Sequence, residues 1–286
     1  MAETTLERPP APVRPRRKRT NPWVRWTLRL VVIVYLFMLV VWPTALVATN
    51  ALEGGLDNIR SVFDDPDLVH ALQLTVKAAL ISVVINTVFG VGVAILLVRY
   101  EFPGKRALNA FIDLPLSVSP IVVGLALVLV YNPRTGWFGP ALDDAGYRVM
   151  FELPAIVLAT VFVSLPLMVR EVVPVLQEVG IEQEQAAQSL GANAFQRFRR
   201  ITLPTIKWGV AYGFVLTLAR SLGEFGAVKV VSGNRLGETR TATLAVEELY
   251  LNFQQQRAYA VAFLLAMVSV ACIVVVSLLR PDAEQE

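Results

Sequence analysis

Few side chains in this sequence are of the types that carry out enzymatic chemistry. Its 286 residues include one histidine, His70, and one cysteine, Cys272. This count argues against a His/Cys metal site and against an internal disulfide. The sequence also lacks the G-x-S-x-G, H-E-x-x-H and G-x-x-x-x-G-K-[ST] patterns of hydrolases, zinc peptidases and P-loop nucleotide sites. We therefore expect a protein that is not an enzyme, holds no cofactor or metal, and does not itself bind ATP through a P-loop.

One charged pair stands inside an otherwise apolar stretch. Arg220 and Glu224 interrupt residues 208–228, where the spacing i, i+4 places both on one helix face so that they can pair. Charges inside a membrane span are costly and face a protein interior or a water cavity. The pair predicts either a neutral structural contact or part of an outer gate or anion path in which Arg220 meets a dianion. Gly223 and Gly226 flank Glu224 and permit close helix approach or local unwinding.

Two hydroxyls precede a proline near the predicted cytoplasmic end of another apolar stretch. Ser117 and Ser119 could donate hydrogen bonds to an oxyanion in a translocation path. At spacing i, i+2 they face different sides of a helix, unless Pro120 distorts it. The alternative is that each hydroxyl bonds to a neighbouring main-chain carbonyl.

These residues must be positioned by membrane-spanning helices. Hydrophobic residues make up 55% of the chain and charged residues only 17%, against about 25% charged in soluble domains. A helix that crosses a bilayer needs about 20 apolar residues. The first such stretch is interpreted as an uncleaved span because it is long for a signal peptide. Five stretches free of charge and the stretch that holds the charged pair predict six spans: 30–52, 78–98, 114–133, 153–169, 208–228 and 258–279.

The basic residues predict the orientation. With the N-terminus in the cytoplasm, the inside segments hold 16 Lys and Arg residues and the outside segments hold 7, as the positive-inside rule requires. The predicted organisation is a basic cytoplasmic tail (1–26), a six-span domain (27–280) with a long cytoplasmic loop (170–207), and a second cytoplasmic tail (281–286). Both termini are then cytoplasmic, and the last outside segment is predicted to carry a surface helix over 241–253.

The long cytoplasmic loop has the pattern of two short helices around a sharp turn. A first helix is predicted over 181–190, ended by Gly191 in left-handed geometry. Asn193 is predicted to begin the second helix, in a capping box with Gln196. Pro204 is predicted to end it, because proline disfavours helical geometry in the residue before it.

The loop also contains two adjacent alanines, a glycine and, after nine residues, Ile-x-Leu-Pro: Ala186, Ala187, Gly191, Ile201, Leu203 and Pro204. This pattern resembles the EAA loop of ABC importer permeases. The resemblance implies a coupling helix seated in a groove of a separate ATPase subunit. The family usually has Glu before its two alanines, whereas this chain has Gln185 there and Glu184 one residue earlier.

Two further stretches resemble a narrower group. Residues 114–124 and 219–228 are similar to the third and fifth spans of sulfate/molybdate permeases, and the whole pattern is most similar to the CysW-type sulfate/thiosulfate permeases. The resemblance implies a type I ABC importer permease (MetI-like) fold in the bacterial plasma membrane. It implies uptake of sulfate or thiosulfate, coupled through residues 182–204. It also implies a homologous second permease, an ABC ATPase dimer and an extracytoplasmic sulfate-binding protein as partners.

Other functions remain open on the sequence alone. A molybdate/tungstate permease would transport dianions of the same charge and tetrahedral shape. An ion-coupled secondary transporter could use Arg220 and Glu224, but such folds usually carry inverted repeats, and this sequence has no convincing repeat. An intramembrane enzyme is disfavoured by the missing motifs. The basic run at 16–19 is interpreted as a topology anchor at the lipid bilayer, and no nucleic-acid partner is expected.

Overall fold

The apolar stretches of the sequence form helices that are joined by short turns. The computed structural model describes residues 22–53 and 55–279, with side chains from 23 to 274. The predicted tails, 1–26 and 281–286, lie outside the described residues except for 22–26. In the described residues the α-helices are α1 Pro22–Leu36, α2 Trp42–Leu52, α3 Asp57–Phe63, α4 Pro66–Arg99, α5 Lys105–Ser117, α6 Pro120–Tyr131, α7 Gly139–Asp144, α8 Leu153–Val179, α9 Glu182–Ser189, α10 Ala194–Arg197, α11 Leu203–Leu222, α12 Gly226–Val231, α13 Ala242–Leu251 and α14 Gln255–Leu279.

Several of these helices are long and apolar enough to cross a membrane, which confirms the prediction of an all-α polytopic membrane protein. The described residues contain five such helices, and the bent pair α5–α6 gives a sixth crossing if it is taken as one span. The five are Trp23–Leu52, Pro66–Arg99, Leu153–Val179, Ala194–Leu222 and Gln255–Val274.

The apolar stretch predicted as the span 114–133 is not one straight helix. The axes of α5 and α6 differ by 114°. Ser119 is extended, with ψ of 135°, because the ring of Pro120 disfavours helical geometry in the residue before it. The helix is therefore distorted before Pro120, strongly enough to divide this apolar stretch into two helices.

Most of the first span lies in a separate unit of the chain, which ends at Leu46. Its helix passes through a π-helical turn, Phe37–Val41, where the N–H of Trp42 bonds to the carbonyl of Phe37. Pro43 follows at once and has no N–H to continue an α-helical ladder. The side chains over 23–46 are exposed within this chain, as suits apolar residues that face lipid. That the segment is retained rather than cleaved stays a prediction.

In the second unit, α4, α8 and α11 pack closely because small residues stand at their crossings. A Cβ built on Gly90 would lie 2.6 Å from Cγ of Met168, and one on Gly213 would lie 2.8 Å from the sulfur of the same methionine. Asn86 Nδ2 donates to Ser164 Oγ at 2.8 Å, which joins α4 to α8. Glycines and side-chain hydrogen bonds of this kind hold membrane helices together.

The segment predicted as a cytoplasmic loop, 170–207, is largely helical. The helix α8 continues to Val179, because charged residues mark the exit from the apolar region without ending a helix. The break comes at Gly180, whose φ of 71° and ψ of −165° suit glycine. The next span begins with the continuous helical run Ala194–Leu222.

Candidate functional site

The helix α9 ends in the turn that the sequence predicted. Gly191 has φ of 88°, the left-handed geometry that glycine adopts without strain. The N–H of Gly191 bonds to the carbonyl of Gln188, and the N–H of Ala192 bonds to that of Ala187. These two bonds form a Schellman motif, which reverses the chain within two residues.

The helix α10 begins in the predicted capping box. Asn193 Oδ1 accepts from the N–H of Gln196 at 2.9 Å, and Gln196 Oε1 accepts from the N–H of Asn193 at 3.0 Å. Reciprocal bonds of this kind satisfy two main-chain donors at a helix start. The turn between α9 and α10 is therefore fixed by its own hydrogen bonds.

The tip of this segment presents apolar side chains to the solvent. No residue of α9 or α10 is buried within the chain. Leu190 is 89% exposed and Phe195 is 67% exposed, and Ala186 and Gly191 beside them are exposed as well. We name these four residues the coupling surface. Exposed apolar groups around a rigid turn are typical of a protein–protein contact.

Pro204 does not end the second helix, so that prediction is wrong. Leu203 is helical, with φ of −62° and ψ of −46°, and the π-helical turn Phe198–Thr202 leads directly into α11. Proline is tolerated in the first turn of a helix, and a π turn takes up the missing main-chain bond. The segment at 194–202 is consequently continuous with α11, whose 20 residues span about 30 Å.

The acid of the EAA-like sequence points inward from α9. Arg99 donates from Nε and Nη2 to Oε1 of Glu184, at 3.2 and 3.1 Å. The same oxygen accepts from Thr202 Oγ1 at 3.0 Å, and Arg99 Nη1 donates to the carbonyl of Leu176 at 3.0 Å. Gln185, which stands at the family's acidic position, is exposed. Sequence reasoning did not find this cluster, because no local pattern joins residues so far apart.

The ion pair between Arg220 and Glu224 forms as predicted, although Glu224 lies beyond the end of α11. Arg220 Nη1 is 2.8 Å from Glu224 Oε2. Glu224 is 4% exposed, and its Oε1 accepts from the N–H of Ala227 at 3.1 Å. The side chain of Arg220 remains 38% exposed. Glu224 thus stabilises the break between α11 and α12, while the side chain of Arg220 stays partly exposed.

The bent pair α5–α6 meets the pair α11–α12 at this break. A Cβ on Gly226 would lie 3.1 Å from Cβ of Pro120, and a Cβ on Gly124 would lie 2.8 Å from the carbonyl oxygen of Ala227. The start of α6 therefore packs directly on α12, two residues beyond Glu224. Gly223 differs, since a Cβ there would approach only the Arg220 carbonyl, at 4.0 Å. Close packing explains Gly226 but not Gly223.

The serines before Pro120 lie at the bend between α5 and α6. Ser117 and Ser119 are both exposed, and within the described residues neither hydroxyl bonds to a neighbouring carbonyl. Ser119 is the N-cap residue of α6, and its side chain does not cap the helix. Both hydroxyls therefore remain available as hydrogen-bond donors near the first turn of α6.

The break is also attached to the predicted surface helix, which the structure forms as α13. Thr243 Oγ1 donates to the main-chain carbonyl of Glu224 at 2.8 Å. Lys229 of α12 forms an ion pair with Glu247 of α13. A displacement of α13 would therefore reach the segment between α11 and α12.

Proteins of known function resemble this chain over most of its length. It is 46% identical over 248 residues to the sulfate transport system permease protein CysW of Synechococcus elongatus, covering 87% of this chain and 86% of that protein. It is 41% identical to CysW of Escherichia coli K12, covering 92% and 90%. It is 33% identical to the permease protein CysT of Synechocystis, covering 91% and 88%. The resemblance found in the sequence is confirmed.

The fold also matches a solved importer structure. A bacterial ABC transporter chain involved in the import of alginate superposes with a TM-score of 0.75 at 17% identity, covering 92% of this chain and 96% of that one. Residues 86–281 match the family model described as a binding-protein-dependent transport system inner membrane component. The family is one of transport components, in agreement with the prediction that the chain is not an enzyme. The chain belongs to this family of binding-protein-dependent inner membrane transport components.

Proposed function

We propose that this chain is a permease subunit of an ATP-driven sulfate importer in the bacterial inner membrane. The observation that carries the proposal is the 41–46% identity to sulfate transport permeases along almost the whole chain. Molybdate and tungstate have the same charge and shape, but no feature of the described residues favours them over sulfate.

The coupling surface is the contact for the ATPase partner. Its exposed Leu190 and Phe195 provide apolar area, and the exposed Gly191 allows a partner's backbone to come close. Because the segment after it runs without interruption into α11, a push on the coupling surface moves that helix along its length. The residues at 182–204 thereby link ATP hydrolysis to the membrane domain.

The substrate path runs beside the crossing of the two broken helices. Arg220 offers a partly exposed cation, and Ser117 and Ser119 offer free hydroxyl donors near the start of α6. Glu224 offsets the charge of Arg220 at 2.8 Å, so the site attracts a dianion only weakly. Weak binding suits a path, because an ion must leave it as readily as it enters. Gly223 and Gly226 let the break change shape as the path opens and closes.

Two further partners complete the transporter. A homologous CysT-type permease would supply the second half of the path, in keeping with the 33% identity between this chain and such a protein. An extracytoplasmic sulfate-binding protein would dock on the outer face, where α13 is tied to Glu224 through Thr243.

The test is purification of the tagged chain after co-expression with its genomic neighbours, followed by reconstitution into vesicles. We expect an ATPase and a second permease to co-purify, and ATP hydrolysis to rise when sulfate-loaded binding protein is added. Radioactive sulfate should enter the vesicles only with ATP, and a hundredfold excess of molybdate should not compete. A chain that purifies alone and moves sulfate in response to a pH gradient would contradict the proposal and favour a secondary transporter.

A further inference from the structure

The helix α9 has few attachments to the rest of the protein. None of its residues is buried, and Gly180 and Gly191, both in glycine-type backbone geometry, stand at its two ends. Within the part of the chain that the structure describes, Gln188 bonds to Arg197 of the neighbouring α10. Glu184 is the one α9 side chain there that bonds to a spanning helix, through Arg99 of α4.

The pair of Glu184 and Arg99 connects four helical elements. Arg99 comes from the last position of α4 and is 9% exposed at its side chain. It reaches α8 through the carbonyl of Leu176 and α9 through Glu184. Thr202, in the π-helical turn before α11, reaches the same oxygen of Glu184. Charge-assisted bonds from a planar, fixed guanidinium hold geometry better than neutral bonds do.

We propose that Arg99 is a positioning residue, which through Glu184 holds α9 rigidly against α4, α8 and the start of α11. The proposal rests on the function proposed above, in which an ATPase moves α9. A helix hinged at two glycines would otherwise pass the ATPase's motion to α11 alone, through the segment that follows Gly191. With the Arg99 cluster in place, a displacement of α9 carries three spanning helices together, and hydrolysis is linked to opening of the path.

The test compares Glu184→Gln and Arg99→Gln with Glu101→Gln in the complete transporter in vesicles. Glu101 is the matched control because it stands beside the end of α4 and pairs with Lys105 in solvent, where its side chain is 88% exposed. We expect the two cluster variants to co-purify with the ATPase, yet hydrolyse about tenfold more ATP per sulfate imported. Loss of one hydrogen bond to a charged group raises the fraction of transporters whose α9 is detached from Arg99 by roughly tenfold. The control should keep the wild-type ratio.

Three further measurements separate positioning from a general structural role. Arg99→Lys, which keeps the charge but not the fork of donors, should restore the ratio in part. If the charge variants fail to fold, Thr202→Val replaces them in the test. It should raise the ratio of ATP hydrolysed to sulfate imported by a smaller factor. A spin label at Gln183→Cys in a Cys272→Ala background should become more mobile in Glu184→Gln, whether or not sulfate is the substrate.

Either of two results would overturn the proposal. One is an unchanged label mobility and an unchanged hydrolysis-to-import ratio in both cluster variants. The other is loss of the ATPase from the purified Glu184→Gln complex, which would place Glu184 in the partner contact. If wild-type vesicles import no sulfate while the label responds as expected, the proposed substrate fails and the positioning role of Arg99 stands.

Discussion

Gly226 of α12 packs on Pro120 of α6, where a Cβ on the glycine would stand 3.1 Å from Cβ of the proline. One turn further into α6, a Cβ on Gly124 would stand 2.8 Å from both the carbonyl oxygen of Ala227 and Cβ of Val230. The two broken helices can therefore meet only because both carry glycine at the crossing.

We expect Gly124→Ala to separate α6 from α12 and to lower sulfate import. An added methyl group in so tight a contact costs about 1–3 kcal/mol, and the backbone of Ala227 has no free rotation by which to yield. The measurements are thermal unfolding in detergent and import into vesicles. Gly92→Ala is the matched control, because a Cβ on Gly92 meets nothing within 4 Å. Equal stability and equal import in the two variants would argue against a tight crossing.

We expect Gly191→Asp to uncouple ATP hydrolysis from import while the protein still accumulates in the membrane. Aspartate is one of the few residues besides glycine that adopt left-handed geometry, so the main change is a charged side chain on the coupling surface. Gly104→Asp is the control, because Gly104 has φ of 91° and equally open surroundings but lies outside that surface. Normal import by Gly191→Asp, or the same defect in both variants, would remove the coupling surface from its proposed role.

Local patterns in the sequence predicted what depends on neighbours along the chain. The Arg220–Glu224 pair, the capping box at Asn193 and the left-handed Gly191 each follow from spacings of a few residues. The sequence indicated a possible distortion at Pro120 but not its angle, because the angle depends on how Gly124 packs against Ala227.

Other features required the tertiary structure. Pro204 suits the first turn of a helix as well as the residue after its end, so sequence alone did not distinguish a start from a stop. The Arg99–Glu184 pair joins residues 85 positions apart, and only the packing of α4 on α8 brings them together. The sequence also placed Glu184 near the coupling motif without indicating that it points inward.

We expect Asp65→Ala to lower the stability of the membrane domain more than Asp65→Asn does. Burial raises the pKa of Asp65, but hydrogen bonds from Arg257 and from the N–H groups of Asp67 and Leu68 outweigh this and hold the pKa below its usual value. Asp65 is also the N-cap of α4, and replacing such a cap by alanine costs about 1 kcal/mol. Asparagine keeps the cap and loses only the ionic bond to Arg257.

The pH dependence of unfolding checks this assignment. Because the folded-state pKa lies below the unfolded value, the ionised Asp65 contributes its full stability above that unfolded value and loses it as the pH falls through the folded-state pKa. Thermal unfolding of wild type and Asp65→Asn should therefore differ at neutral pH and converge in acid. A difference that does not shrink as the pH falls through the folded-state pKa would mean that the carboxylate's charge is not the cause.

The Arg220–Glu224 pair permits a test that separates a structural role from contact with the anion. Removing one partner of a buried pair costs roughly 3–5 kcal/mol, less here because Arg220 is partly exposed, so Glu224→Gln alone should reduce both assembly and import. The double variant Arg220→Gln with Glu224→Gln carries no unpaired charge and keeps an acceptor for the N–H of Ala227. We expect it to assemble with its partners but to import sulfate at least about tenfold more slowly, because the cation in the path is gone. Arg220→Lys, which keeps a cation, should retain more import than the double variant. Import at the wild-type rate by the assembled double variant would instead make the pair a structural contact at the break between α11 and α12.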